Sequence, residues 1–249
     1  FLSYSANFAV SALKFRIMKI ALIGYGAMGR LIERVAVERG HEIGVIVDDR
    51  DANLFPGEVA AKLRGCDAAI DFTVAMAVRR NVEACVIAKV PVVLGTTGWN
   101  DQRAEIEHVV SSGNGSLLFG ANFSIGVNLF YKIAEYAAEV FAKFPEYEAF
   151  IEEQHHSRKL DSPSGTALKI KSIVEKHINK DISVAATRAG NIPGTHRVGF
   201  DGAADQILLE HTARSREGFA SGAVLAAEWI VGKTGFYEFT DVIDEVLGK

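Results

Sequence analysis

Cysteine is scarce in this 249-residue chain: Cys66 and Cys85 are the only two. Two cysteines with this spacing build neither a disulfide framework nor a cysteine-ligated metal site. Both lie in apolar stretches and read as small core residues in a reducing compartment, the cytoplasm. No apolar run approaches the roughly 20 residues that a helix needs to cross a bilayer, so no membrane partner is expected. Excess positive charge is missing as well. With 27 basic and 31 acidic residues the formal net charge is −4, which offers no general attraction for nucleic acid. Internal repeats and low-complexity segments are absent. What is present is the composition of an ordinary globular protein, 49% hydrophobic and 23% charged, long enough for one sizeable core or two modest ones. Against that background any local cluster of cations stands out.

The first seventeen residues, FLSYSANFAVSALKFRI, contain no acid. They precede Met18, from which MKIALIGYG reads as a natural start, so residues 1–17 are expected to be a disordered or non-native extension. Their serines and two cations leave an organelle transit peptide as the alternative.

From Met18 onward short apolar runs alternate with helical periodicity. Strands are expected at 19–24, 42–49, 68–73, 91–97 and 116–122, and helices at 27–39, near 75–88 and at 101–112. The stretch around Pro56 and Gly57 reads as a loop. Strands that are continuously apolar and alternate with helices imply an α/β domain, a Rossmann-like parallel sheet covered on both faces. The pattern then changes. A helix over about 126–143, strands at 146–155, 182–188, 195–201 and 205–213, and a helix at 165–178 predict an α+β unit with a mostly antiparallel sheet. Residues 219–243 read as helical and as returning to the first unit. The expected division is therefore 18–122 with 216–249 for dinucleotide binding, and 123–215 for substrate binding and oligomerisation.

Gly24-Tyr25-Gly26-Ala27-Met28-Gly29 ends the first strand and opens the first helix, the context in which G-x-G-x-x-G binds a dinucleotide pyrophosphate. The first glycine permits the tight turn, the second the approach of backbone to phosphate, and the third close helix–strand packing. Asp48, at the end of the second strand, stands where an acid should receive the ribose hydroxyls. Two further loops follow strand ends: Gly95-Thr96-Thr97-Gly98 and Ala121-Asn122-Phe123-Ser124. They would let a flat ring lie against backbone, or they are plain turns. The densest chemistry lies in EEQHHSRKLDSPSGTA, 152–167. His155, His156, Arg158 and Lys159 precede Ser162-Pro163-Ser164-Gly165-Thr166, which reads as a Ser cap, a proline at the first helical position and exposed N–H groups able to hold a carboxylate. A solvated basic loop is the other reading.

That stretch closely resembles the E-x-H-H-x-x-K-x-D-(A/S)-P-S-G-T-A signature of the dihydrodipicolinate reductase family. GYGAMG, AAIDFT, PVVLGTTGW, GANFSIGVN, TRAGNIPGTH and FASGAVLAAEWI follow in the family's order, so the resemblance spans 18–249. It implies an oxidoreductase of the diaminopimelate route to lysine. Its cofactor would be NADH and/or NADPH, its substrate a small cyclic dicarboxylate, and its assembly a homotetramer joined through the substrate-domain sheets; no metal is implied. By position it implies that His155 and Lys159 are catalytic, Lys159 as proton donor. His156, Ser164, Gly165, Thr166 and Thr97 would bind substrate. Gly24, Gly26, Ala27, Met28, Gly29, Asp48, Phe72, Gly95, Thr97, Gly98, Ala121, Asn122 and Phe123 would bind cofactor. In this reading His155 and Lys159 both act as cations, stabilising charge that develops on the ring. Two departures stand out. Val74-Ala75 follow Asp71-Phe72-Thr73 where many members carry a basic or histidine residue and proline, and Asp49 follows Asp48 where many carry arginine. The second departure predicts a mild preference for NADH. Rival readings are a related amino-acid or sugar dehydrogenase and a nucleotide-sensing regulator; the latter would have no use for the acid–base residues.

Overall fold

β1 (Lys19–Ile23) buries Ile20, Ala21, Leu22 and Ile23 almost completely. A strand inaccessible on both faces has to lie inside a sheet with helices above and below it. The computed structural model, which describes residues 16–248, places it there. Most of the expected N-terminal extension, residues 1–15, lies outside the described residues; Arg16 and Ile17 lead into β1 without regular structure.

α1 (Ala27–Glu38), β2 (Glu42–Val47), α2 (Pro56–Leu63), β3 (Ala68–Asp71), α3 (Ala75–Ala88), β4 (Val92–Leu94), α4 (Arg103–Ser112) and β5 (Ser116–Phe119) follow in strict alternation. They form a six-stranded sheet completed by β10 (Gly235–Glu238), in the order β10-β5-β4-β3-β1-β2. The pairs β1·β2, β1·β3 and β3·β4 are parallel. The chain winds outward from β1 to β2 and then resumes on β1's other side with β3. That reversal puts a crevice beyond the carboxyl ends of β1 and β3, where open α/β sheets bind ligands.

Two expectations need correction here. Residues 56–63 form a helix: Pro56 sits at its first position, Glu58 accepts the Phe55 N–H at 2.8 Å, and Val59, Ala60 and Leu63 are buried. Proline belongs at that position because its missing N–H has no partner to lose. Residues 219–243 are not helical throughout. α7 (Glu217–Ile230) stops, Gly232 takes a φ of +82°, β10 joins the sheet beside β5, and α8 (Phe239–Val246) follows.

The chain divides into two compact units. One comprises the described residues to Leu117 with Leu225–Phe236; the other comprises Leu118–Val224 with the described residues from Tyr237. The second unit contains α5 (Ile125–Phe141), β6 (Glu148–His155), α6 (Gly165–Glu175), β7 (Ser183–Arg188), β8 (Thr195–Asp201) and β9 (Gln206–Thr212). Its sheet runs β7-β6-β8-β9; β6·β8 and β8·β9 are antiparallel, and β6·β7 is parallel. Phe130, Ala134, Ile151, Ile170, Val174, Val198 and Phe200 pack into one core between α5, α6 and the sheet. Along β6 the buried positions are Ile151, Glu153 and His155. The period of two keeps them on one face, so the apolar floor under α6 turns polar toward the end of the strand. Cys85 is buried as expected, whereas Cys66 is only half-buried. Among the described residues no helix is long and apolar enough to cross a membrane.

Candidate active site

In the first unit the glycine loop has the division of labour that its spacing predicts. Gly24 has a φ of +89° and donates its N–H to Val47 O at 2.8 Å; a β-carbon there would collide with Phe72 O. At Gly29 a β-carbon would collide with Gly24 O, so only glycine lets α1 pack against the turn. Gly26 is different: nothing lies within 4 Å of where its β-carbon would be. Gly26 is also the N-cap of α1, with no side-chain cap and no acidic residue in the first turn. Gly26 and Ala27 are exposed, and Met28 is half-buried. A helix start with uncapped N–H groups and open space before it fits a pyrophosphate.

Asp48 follows β2 and caps a short 3-10 turn at Asp49–Asp51. Its carboxylate is forked by Arg50, Nε to Oδ1 at 3.1 Å and Nη2 to Oδ2 at 3.0 Å. Those hydrogen bonds hold the Asp48 carboxyl below the usual range. Asp49 is exposed beside them.

A buried carboxylate organises the ends of β3 and β4. Asp71 is wholly inaccessible and accepts from Thr73 N (3.0 Å), Thr73 Oγ1 (2.7 Å), Thr96 Oγ1 (3.0 Å) and Asn81 Nδ2 (2.8 Å). Burial pushes its carboxyl up, and the four donors oppose that shift. Thr96 is thereby fixed, and Trp99 Nε1 bonds Thr96 O at 2.8 Å, leaving Thr97 and Gly98 exposed at the turn. The Phe72 ring lies where a side chain at Gly95 would be. Val74 is an exposed apolar side chain.

The second unit gathers the titratable groups. Glu153 is 1% exposed; one carboxylate oxygen meets His155 Nδ1, and the other accepts Ser164 N at 3.1 Å and Arg188 Nη2 at 2.6 Å. Burial pushes the Glu153 carboxyl up, but Arg188, His155 and the Ser164 N–H together bring it below its ordinary value. His196, opposite Glu153 in the β6·β8 register, sets its ring 5.1 Å from that of His155 and its Nε2 3.2 Å from Ser164 Oγ. The expectation of a cationic His155 is corrected. Burial lowers its pKa, and Glu153, whose charge Arg188 shares, does not restore it. His196 is pushed down to about 4, chiefly by burial. Glu153, His155 and His196 could each bring a ligand atom within 4.8 Å of the others. Arg188 and the Ser164 N–H already serve the carboxylate, so the arrangement is that of a guanidinium-compensated acid rather than of free metal ligands.

The helix start is also corrected. Ser162 and Pro163 lie before the helix, joined by a cis peptide bond; Ser164 is the N-cap of α6 and its Oγ accepts Ala167 N at 3.2 Å. The Asp161 carboxylate, just before the cap, pairs with Lys159 Nζ at 2.7 Å. Arg158 bonds Asn191 Oδ1 at 3.0 Å and ties the loop down instead of facing a ligand. His156 is half-buried, and its Nδ1 has no partner among the described residues.

Ala121 is exposed, but Asn122 Oδ1 accepts Ser124 N at 2.8 Å and Asn128 Nδ2 donates to Asn122 O and Ser124 O, both at 2.9 Å. Phe123 is buried against Phe239, so neither the Asn122 nor the Phe123 side chain is directed outward. The structure thus brings His155, Lys159 and Ser164 together in one unit, and the glycine loop with Asp48, Phe72, Gly95, Thr97 and Gly98 in the other. Sequence reasoning assigned no role to Asp71, Asn81, Glu153, Arg188 or His196. The one usable signal was Glu153, two residues before His155 on a predicted strand and therefore on its face.

Comparison with known proteins agrees with this geometry. A family profile described as "Dihydrodipicolinate reductase, N-terminus" matches residues 18–123, and one described as "Dihydrodipicolinate reductase, C-terminus" matches 126–243. The 4-hydroxy-tetrahydrodipicolinate reductase of Christiangramia forsetii is 38% identical over 92% of this chain and 99% of its own. The enzyme of that name from Archaeoglobus fulgidus is 38% identical over 91% of this chain and 100% of its own. The solved structure of dipicolinate-bound dihydrodipicolinate reductase from Paenisporosarcina sp. TG-14 superimposes with a TM-score of 0.72 at 21% identity, covering 89% of this chain and 98% of that one; at that identity the match speaks for the fold.

The buried histidines make stability depend on pH. An unfolded histidine takes up its proton near 6.5, and His196 in the fold only at about 4. Between those values the unfolded state holds the extra proton, so stability is full above 6.5 and falls as pH drops toward 4. At 1.36 kcal/mol per pH unit, His196 contributes a loss on the order of 3 kcal/mol. Urea unfolding at pH 7 and pH 4.5 should show this loss in the wild type and a smaller one in His196→Leu.

Proposed function

Because the chain belongs to the dihydrodipicolinate reductase family, we propose that it reduces 4-hydroxy-tetrahydrodipicolinate to tetrahydrodipicolinate with NADH or NADPH, in the diaminopimelate route to lysine. The observation that carries this reading is the convergence of His155, Lys159 and the α6 N-terminus in one unit, with an uncapped glycine-rich helix start in the other. That a relative of the same fold was solved with dipicolinate, a planar cyclic dicarboxylate, supports a substrate of that shape.

In this reading the first unit holds the dinucleotide. The α1 N–H groups at Gly26–Gly29 take the pyrophosphate, Asp48 the ribose, and the Phe72 and Gly95–Gly98 segments flank the ring. When bound, the reduced nicotinamide supplies hydride. The protein must then deliver a proton and hold two carboxylates. Lys159 is the proton donor, and its ammonium is oriented by Asp161 Oδ1 at 2.7 Å. Ser164, Gly165 and Thr166 hold a carboxylate at the α6 start, where backbone donors and the helix dipole favour an anion. His155 works as a neutral hydrogen-bonding group at the ring, and His156 closes the substrate site. The second unit is therefore the substrate-binding half.

For oligomerisation the support comes from the outer face of the four-stranded sheet. Phe150, Gly199 and Leu208 stand in register, Leu208 is 44% exposed, and Arg197 links Glu152 and Glu210 across the strands. An exposed Leu208 beside a half-buried Phe150, edged by ion pairs, suits a subunit contact. We read the assembly as a cytoplasmic homotetramer, to be checked by sedimentation mass.

Protein supplied with pyruvate and aspartate semialdehyde, from which the substrate forms in situ, should oxidise reduced nicotinamide. His155→Gln and Lys159→Ala should each lower kcat by about 10²–10⁴. Dinucleotide affinity, read by fluorescence titration, should stay within about twofold because neither residue belongs to the glycine loop. Folded protein inactive with both cofactors would overturn the reading.

Cofactor choice turns on Asp48. Its carboxylate suits free ribose hydroxyls, whereas a 2′-phosphate would bring roughly −1.5 to −2 charges toward Asp48 and Asp49. Arg50 already neutralises Asp48 and limits the discrimination. NADH should be preferred by about tenfold in kcat/KM, and Asp49→Arg should move that ratio toward NADPH. A wild type that strongly favours NADPH would refute the assignment.

A further inference from the structure

Glu153 lies outside every role named so far, yet it is the least accessible charged group of its cluster. Three elements converge on its carboxylate: His155 from the end of β6, Arg188 from β7 and the Ser164 N–H from the start of α6. The same Arg188 Nη2 also donates to Asp161 O at 2.5 Å, which anchors the guanidinium. The carboxylate can only accept, so the His155 nitrogen facing it must carry hydrogen. That leaves Nε2 as the atom without a hydrogen-bond partner among the described residues. A β-carbon at Gly194 would stand 3.2 Å from Nε2, so glycine at that position keeps the space before the atom open.

We propose that Glu153 is a positioning residue that fixes His155 as the Nδ1–H tautomer and presents Nε2 as the working atom, with Arg188 as the carboxylate's permanent counter-ion. The proposal deepens the assignment of His155 to the substrate ring and rests on it for its functional meaning. The physical argument is one of competition for charge. A buried carboxylate with only an imidazole beside it would draw a second proton onto that imidazole, giving an ion pair. Here Arg188 satisfies the carboxylate first, and the ring is left neutral. The other charged and titratable groups facing His155 act in the same direction: Lys159 from the loop after β6 repels a second positive charge, and His196 on β8 is itself neutral. In the resting site His155 is therefore a lone-pair acceptor at Nε2. It can hold Lys159's proton path or a substrate N–H in line, and the proton itself comes from Lys159.

The test reads the ring directly. In protein labelled with ¹⁵N-histidine and free of substrate, the His155 signals, assigned by their loss in His155→Gln, should show a protonated Nδ1 and an unprotonated Nε2 at pH 7. Glu153→Gln should abolish that preference and lower kcat by up to roughly 10⁴, the drop seen when the orienting carboxylate of a serine-protease triad is amidated, with little change in dinucleotide affinity. Arg188→Met should keep the tautomer but raise the pH at which His155 takes its second proton by about one unit or more, and the acid limb of kcat should move with it. Should Glu153→Gln fail to fold, the Arg188→Met titration carries the test alone. A wild-type ring protonated at Nε2, or an Arg188→Met titration that does not move, would overturn the proposal. Because the tautomer is read without substrate, that result is independent of which substrate the chain reduces.

Discussion

A carboxylate shut away from water must find its donors inside the protein, and that requirement shapes the second unit. Glu153 can remain ionised in its position only because a guanidinium, an imidazole and a backbone N–H arrive from three separate elements. Each arrival fixes something else. Arg188 sets how the end of β7 meets β6, and Ser164 N sets where α6 begins. That placement puts Ser164 Oγ at once on the Ala167 N–H and on His196. If the carboxylate were removed, the cap, the histidine pair and the guanidinium would each lose their common reference.

The first unit uses the same device for a different end. Asp71, at the last position of β3, accepts four hydrogen bonds that reach the Thr73 turn, the Thr96 loop after β4 and Asn81 on α3. Loops at the carboxyl end of a parallel sheet are ordinarily its most mobile part. Here two of them share one buried acceptor, so the exposed residues Thr97 and Gly98 are carried on a rigid base. Both units thus place an acid at the end of a central strand, just where the apolar core gives way to the chemistry.

Much of this was legible in the sequence, and what was not has identifiable causes. The alternation of apolar strands and helices to residue 119, the glycine loop and the strands of the second sheet follow from periodicity and local signals, which act over a few residues. The helix at Pro56 reads as a loop because proline and glycine stand together there, although Pro at the first position with Glu58 two residues on is a helix start. The α6 cap was misplaced because two serines flank one proline, and only the three-dimensional path shows that Ser164 is the one that caps. Arg188 and His196 are 35 and 43 residues from Glu153, and only the parallel β6·β7 and antiparallel β6·β8 registers bring them to it. The charge state of His155 was misjudged for the same reason: adjacent basic residues suggest a cation, and the burial that removes the proton comes from elements far along the chain.

The position of β10 has a consequence for how the protein is made. The first sheet is completed by a strand synthesised well after its neighbour, about 115 residues separating Phe119 from Gly235. At translation rates of roughly 5–20 residues per second, β5 stays an unpaired edge for about 6–23 s. During that interval the nascent chain presents an open strand edge, the feature through which proteins pair wrongly with their neighbours. β5 is only four residues long and is flanked by Gly115 and Gly120, which shortens the edge that a stray strand could match. The order of synthesis therefore sets a constraint on this short strand that no property of the finished fold would reveal.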